Sequence, residues 1–264
     1  MTSDEMALQP TEHSPLAPEQ LIAKIWAERR RFVREGRIKQ PHPWRVALSQ
    51  GKVSRTALIE YVKNRYYFLC NINRKDAQVI ANCPIPDARR MLLRKYIDEE
   101  GQDVVGGRLG PHYQMWIKVA DALGIPRDVM NSFEDVLPVY RYTVDAVFNF
   151  AKLQSWLEGV AATYATEGRM WKRYTPKEEH REEGLLDEGE ALRRHYGLSQ
   201  EALQFYHVHS DANDEHGDIN EAILKQYCVS EELQEKALAA ARFRWENQET
   251  RHDIIYRYFV LGAS

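Results

Sequence analysis

The stretch Ser54–Cys83, "SRTALIEYVKNRYYFLCNINRKDAQVIANC", decides the fold class. Ser54 is a good N-cap, because its hydroxyl can accept from the first free amides of a helix. From there to Cys83 the run stays helix-compatible for many turns, with no glycine or proline to interrupt it. Working outward, "PEQLIAKIWAERRRFV" sets Leu21, Ile22, Ile25, Trp26 and Phe32 along one stripe, with Pro18 at a helix start. Further helical runs cover 86–100, 112–124, 136–168, 199–217 and 230–262. Alternation of the strand type, bounded by turn residues, is absent, and no repeat period appears. Gly101, Gly106, Gly107 and Gly110 mark a loop, and Gly124-Ile125-Pro126 a helix stop. The charged "TPKEEHREEGLLDEGE" reads as a loop or an exposed helix. The expectation is a disordered tail over residues 1–18, then a single all-α domain over 19–264, a compact bundle of seven or more helices.

Composition narrows the classes of function. With 44% hydrophobic residues the chain can bury a core, and a net charge of -3 gives no global field for nucleic acid. Runs such as Arg29-Arg30-Arg31 read as a solvated helix face. No apolar run reaches the roughly 18 residues needed to span a bilayer, and the N-terminus shows no signal-peptide core. Three cysteines without a short pairing motif fit reduced thiols, so a cytoplasmic protein is expected.

Chemistry concentrates in "HVHSDANDEHG", His207–Gly217. Positions i, i+4 and i+7 of a helix share a face, so His209, Asn213 and His216 point the same way. Two imidazoles so placed suggest a metal face, and a metal site in a helix bundle draws carboxylates and histidines from several helices. Glu99 and Glu100 end one helix, and His112 opens the next. Their charge opposes the helix dipole, which speaks against a merely solvated end. Glu167 closes a strongly apolar helix, where an inward carboxylate is expensive unless paired or metal-bound.

Residues 42–84, "HPWRVALSQGKVSRTALIEYVKNRYYFLCNINRKDAQVIANCP", resemble the opening of the pyrroloquinoline-quinone synthase family, within the haem-oxygenase-like superfamily. The likeness continues through "DEEG", "VLPVYRYTVDAVFNFA" and "DEHG". It implies a seven-helix bundle with a central pocket and no haem. The synthase itself is a metal-free oxidase of a polyacidic substrate. A related branch, the haem-oxygenase-like di-iron oxidases and oxygenases, carries Glu, His, Glu and then His-x3-Asp-x2-His. The second pattern maps onto Glu99, His112, Glu167, His209, Asn213 and His216 as metal ligands. Asn213 replaces the expected aspartate, and a neutral amide is a weaker donor to a hard cation. The resemblance thus implies two ferrous ions, one held weakly. It implies an enzyme that uses O2 to oxidise a small amino-acid-like or carboxylate-bearing metabolite. Arg65, Lys75 and Arg244 are the candidates for holding the substrate carboxylate, because a buried cation needs an anionic partner. Arg244 stands where the synthase has a late-helix lysine, and Val147 and Glu99 depart from its pocket tyrosine and histidine. The alternatives are a cofactorless oxidase of the synthase type and a metal-free helical interaction protein. A second copy of the chain is a candidate partner; nucleic acid and membrane are not expected.

Overall fold

Thirteen α-helices follow one another in the described residues: α1 (Pro18–Arg34), α2 (Pro43–Ser49), α3 (Arg55–Ile72), α4 (Arg74–Asn82), α5 (Pro86–Glu100), α6 (His112–Leu123), α7 (Arg127–Ser132), α8 (Pro138–Leu153), α9 (Trp156–Tyr164), α10 (Met170–Arg173), α11 (Glu188–Tyr196), α12 (Gln204–Tyr227) and α13 (Glu231–Ile255). The computed structural model describes residues 14–101, 110–167, 170–180 and 185–262, and only the backbone of 209–214. Among these residues there is no strand, and no helix is long and apolar enough to cross a membrane.

Local chemistry explains the boundaries. The Ser54 hydroxyl accepts from the Ala57 amide at 3.1 Å and starts α3. The long run breaks at Asn73, after the Asn71 side chain donates to the Tyr67 carbonyl at 2.8 Å and competes with the last helical turn. The run 136–168 also divides, at Ser155. There a capping box forms: the Ser155 hydroxyl accepts from the Glu158 amide, and the Glu158 carboxylate accepts from the Ser155 amide. Gly124 closes α6 in the left-handed region, φ 75°. Of the expected N-terminal tail, residues 1–13 lie outside the described residues. Leu16 is pinned to α13, its amide and carbonyl bonded to the Gln234 side chain at 2.8 and 2.9 Å.

α13 packs along α9 and α8, α4 lies against α8, α9 and α5, and α12 touches α9, α1, α5 and α6. Two apolar clusters result. One gathers Trp44, Tyr61, Trp116, Tyr140 and Phe205. The other gathers Trp26, Phe32, Val79, Tyr164 and Trp245. Each fully buried large side chain contributes on the order of 1.5–3 kcal/mol. Two glycines let helices approach closely. A Cβ on Gly159 would lie 2.4 Å from Val79, so α9 sits directly against α4. A Cβ on Gly217 would lie 2.6 Å from Met170, which fixes α12 over α10. A polar cavity of about 240 Å³ is walled by α3, α5 and α6 together with α4, α9 and α13.

Candidate active site

α5 carries its inner face in the order Ala88, Leu92, Lys95, Glu99, a helical spacing that turns from apolar to charged toward its C-terminus. Ala88, Leu92 and Lys95 are buried. One Glu99 oxygen lies 2.9 Å from His112 Nδ1 and the other 3.2 Å from His216 Nδ1. Asp98 approaches His216 Nε2 at 3.5 Å. Glu100 instead neighbours Tyr96 and Cys70, where its charge disfavours their ionisation. Glu99 is therefore the member of the pair that meets the histidines. Burial alone would lower the His216 pKa, but its hydrogen bond to Glu99 and the charge of Glu167 raise it above the usual imidazole range.

Glu167 stands in the turn after α9. The Trp245 indole holds that turn by donating to the Ala165 carbonyl at 2.8 Å. The close approach of α9 to α4 at Gly159 brings Glu167 toward Asp76, one turn before Val79 on α4. Lys95 joins them, its ammonium 2.6 Å from Glu167 and 3.4 Å from Asp76. Lys75 contacts both Asp76 oxygens, at 2.7 and 2.8 Å. Burial would raise the Asp76 pKa, yet the two lysine charges hold it below the usual carboxylate range. Lys95, although desolvated, is raised by Asp76, Glu167 and Glu99 and stays an ammonium. This end of the cavity meets its own charges.

The opposite wall does not. Arg65, Arg244 and Arg251 line it, and none makes an ion pair with a carboxylate among the described residues. Arg244 and Arg251 are 3% and 2% exposed. The Arg65 and Arg244 Nε atoms and the Arg251 Nε and Nη1 have no hydrogen-bond partner there. Arg251 lies over the Phe68 ring at 4.0 Å and Arg65 at 4.9 Å. Burial, then the Arg251 charge, pushes the Arg244 guanidinium down to about 9. Burial also lowers Arg251 to about 10. Both remain charged at neutral pH.

Of the residues nominated by sequence, Glu99, His112 and His216 come together, and Glu167 lies beside Lys95. Glu99, His112 and Glu167 line the cavity with Arg65, Lys75 and Arg244. Lys75 is already matched by Asp76. The side chains of His209 and Asn213 lie outside the described residues. Sequence reasoning missed Arg251 and Lys95. Lys95 is within its reach, since it sits four residues before Glu99 on the same helix face. Arg251, seven residues after Arg244, shares its face of α13 by the same rule.

A second cavity, about 210 Å³, shares Thr166, Glu167 and Gln248 with the first. At its rim His42, Glu249 and Asp253 form the only group of three His, Cys, Asp or Glu donors within 4.8 Å of one another among the described residues. Its chemistry disfavours a metal. His42 Nδ1 accepts from the Trp44 amide at 3.1 Å, which leaves the proton on Nε2, 3.1 Å from Asp253. The Lys39 ammonium, 2.8 Å from Asp253 and 2.9 Å from Glu249, already supplies the cation.

At the Glu99 end, two imidazoles and a carboxylate are a donor set suited to one non-haem ferrous ion. A pair of ions would need Glu167 as a further ligand, and Lys95 holds it. The donor types suit one ion at most, and as they stand Glu99, His112 and His216 do not converge within 4.8 Å of one another.

The helical architecture with a central polar cavity is the haem-oxygenase-like class. A domain of unknown function with a heme oxygenase-like fold from Shewanella denitrificans superposes with a TM-score of 0.65 at 15% identity, over 93% of this chain and 94% of that one. A TenA homolog from Pseudomonas syringae gives 0.63 at 14% identity, over 92% and 94%. The model of the TENA/THI-4/PQQC family matches residues 28–174, and the chain belongs to that family. Pyrroloquinoline-quinone synthase from Pseudomonas aeruginosa is 37% identical over 122 residues, 46% of this chain and 47% of the relative. The synthase of Cronobacter sakazakii is 28% identical over 205 residues, 77% and 75% of the two chains. In the Pseudomonas matches the chain spans about half the length of the curated relatives.

Proposed function

We infer that the protein is an O2-dependent oxidase of a small carboxylate-bearing metabolite. The observation that carries this reading is the polarity of the cavity: a Glu–His end balanced by its own lysines faces three arginines, two of them buried, without an ion-paired carboxylate among the described residues. The likeness to pyrroloquinoline-quinone synthases supports the choice of oxidation. Arg65, Arg244 and Arg251 bind the carboxylate and orient the substrate, with Phe68 beneath two of the guanidiniums. Of the Glu99, His112 and His216 set, Glu99 and His112 line the cavity, so in a metal-free site removal of a substrate proton falls to them. His216, fully buried against Glu99, fixes the orientation of its carboxylate. A ferrous ion held by Glu99, His112 and His216 would supply electrons to dioxygen. His209 and Asn213 are proposed as further ligands on the sequence pattern alone.

The balanced charges of the acid end favour a second reading, oxidation without a metal, as in the synthase. One experiment serves both. Oxygen uptake is followed with a panel of small carboxylates, using metal-stripped and Fe(II)-loaded protein. Uptake only after loading supports the iron reading, and uptake in stripped protein supports the synthase type. No uptake with either preparation, across mono- and polycarboxylates, sinks the oxidase assignment.

A further inference from the structure

The two cavities meet at three side chains, Thr166, Glu167 and Gln248. No described residue lining the arginine cavity is exposed; each is buried or half-buried. The second cavity instead reaches the surface at Lys39, whose side chain is 40% exposed. Among the described residues, then, a ligand that ends against Arg65, Arg244 and Arg251 has its way in through the second cavity.

Two of the three side chains at the junction are tied down. The Thr166 hydroxyl donates to the Thr163 carbonyl at 3.4 Å, and the Glu167 carboxylate lies 2.6 Å from the Lys95 ammonium. The Gln248 amide bonds to none of the described residues, although it can both donate and accept. Turning it aside therefore breaks no hydrogen bond. Its register on α13 matters as well. Arg244, Gln248 and Arg251 stand at i, i+4 and i+7 and share one face of the helix. The amide thus stands between two buried guanidiniums and borders both cavities.

Charge does not close this route to an anion. Glu249 on the outer wall is matched by Lys39 at 2.9 Å, and Glu167 at the junction by Lys95. Beyond the junction stand the three guanidiniums, whose field draws an anion inward.

We propose that the second cavity is the entrance of the arginine cavity for anionic ligands, and that the Gln248 side chain controls passage between the two. This takes the arginine wall as the ligand's destination but does not need the ligand to be oxidised.

The test uses an anionic thiol reagent, 2-sulfonatoethyl methanethiosulfonate, on Thr163→Cys, at a position that borders the arginine cavity and not the second one. The thiolate attacks the sulfur bearing the sulfonatoethyl group, a mixed disulfide forms and methanesulfinate leaves. Peptide mass spectrometry follows position 163 separately from Cys70, Cys83 and Cys228, and circular dichroism reports folding. Adding Gln248→Ala should speed the modification. Adding Ile38→Trp, which fills the second cavity from a wall the first does not share, should slow it about tenfold or more. An unchanged rate in a folded Ile38→Trp overturns the proposal. So does a rate indifferent to Gln248→Ala, or no modification in either background. Should Ile38→Trp fail to fold, Gln248→Trp decides: slower modification supports the entrance, and an unchanged rate overturns it. The reaction runs without substrate or oxygen, so a failed oxidase assignment leaves these rates untouched.

Discussion

The two ends of the cavity treat their charges in opposite ways. At the α5 end, Asp76, Glu99 and Glu167 find Lys75, Lys95, His112 and His216 within 2.6 to 3.4 Å. At the opposite wall, Arg65 and Arg251 lie over the Phe68 ring and Arg244 stands in the field of Arg251, with no carboxylate ion-paired to any of the three among the described residues. Breaking a satisfied buried pair leaves a bare charge, whereas removing an unmatched buried cation relieves a strain. The first end is therefore expected to weigh more on stability, and the second is the one proposed to hold the ligand.

The largest expected effect follows from that division. Lys75→Met should destabilise the protein by about 3 kcal/mol in urea denaturation, because it strips Asp76 of its nearer partner. Arg244→Met should leave stability within about 1 kcal/mol of wild type, or raise it. Equal losses in the two variants would erase the distinction between the ends. Next in size is ligand affinity. Arg251→Met should weaken binding of a carboxylate ligand at least about tenfold by calorimetry, about 1.4 kcal/mol, since charged hydrogen bonds contribute roughly that much or more. Lys75→Met, where folded, should barely change it.

A smaller effect reports the positive field of the arginine end. Burial, then Arg251, holds His252 well below the usual imidazole range, and burial also lowers His42 despite Glu249. Both histidines stay neutral in the folded chain and take up protons on unfolding. The stability that these two histidines contribute is therefore complete above about pH 6.5 and declines as pH falls through that value, by at most about 1.4 kcal/mol per pH unit for each; His216, whose pKa is raised, changes in the opposite sense. Thermal midpoints across pH 5 to 8 measure the decline. Arg251→Met should raise the His252 pKa in an NMR titration; an unchanged value would remove Arg251 as the source of the field. Smallest of all is the surface pair Lys24–Glu235, at 3.1 Å and about half exposed. Lys24→Ala should change stability by less than about 1 kcal/mol, which sets the scale for the others.

Much of the architecture is legible in the amino-acid sequence alone. Helical spacing and the Ser54 cap announce an all-α chain, and the face shared by positions seven apart picks out His216. The break at Ser155 is written as Ser-x-x-Glu, but the apolar run on either side masks it. What spacing cannot say is which charges meet across helices. Lys95 and Glu167 lie far apart in the chain and are joined only because α9 packs against α4. The same one-dimensional pattern nominates Lys75 as a ligand-holding cation, and Asp76 beside it reads equally well as partner or bystander until the packing is known. Arg251 lies in a charged late helix whose composition resembles that of a solvated one.

Gly217 follows His216, and any side chain there would enter Met170. A glycine inside a helix costs on the order of 1 kcal/mol relative to alanine, so its presence marks a steric demand rather than a conformational preference. That demand limits the paths open to mutation. The chain can alter the groups that approach the cavity from α3 or α13 one residue at a time, and so trade one ligand for another. Position 217 is enlarged only if Met170 turns aside or shrinks, or if α12 lifts and His216 with it. Drift in this lineage should consequently be rapid among the arginines and slow at the His-Gly pair, with changes at 170 and 217 arriving together.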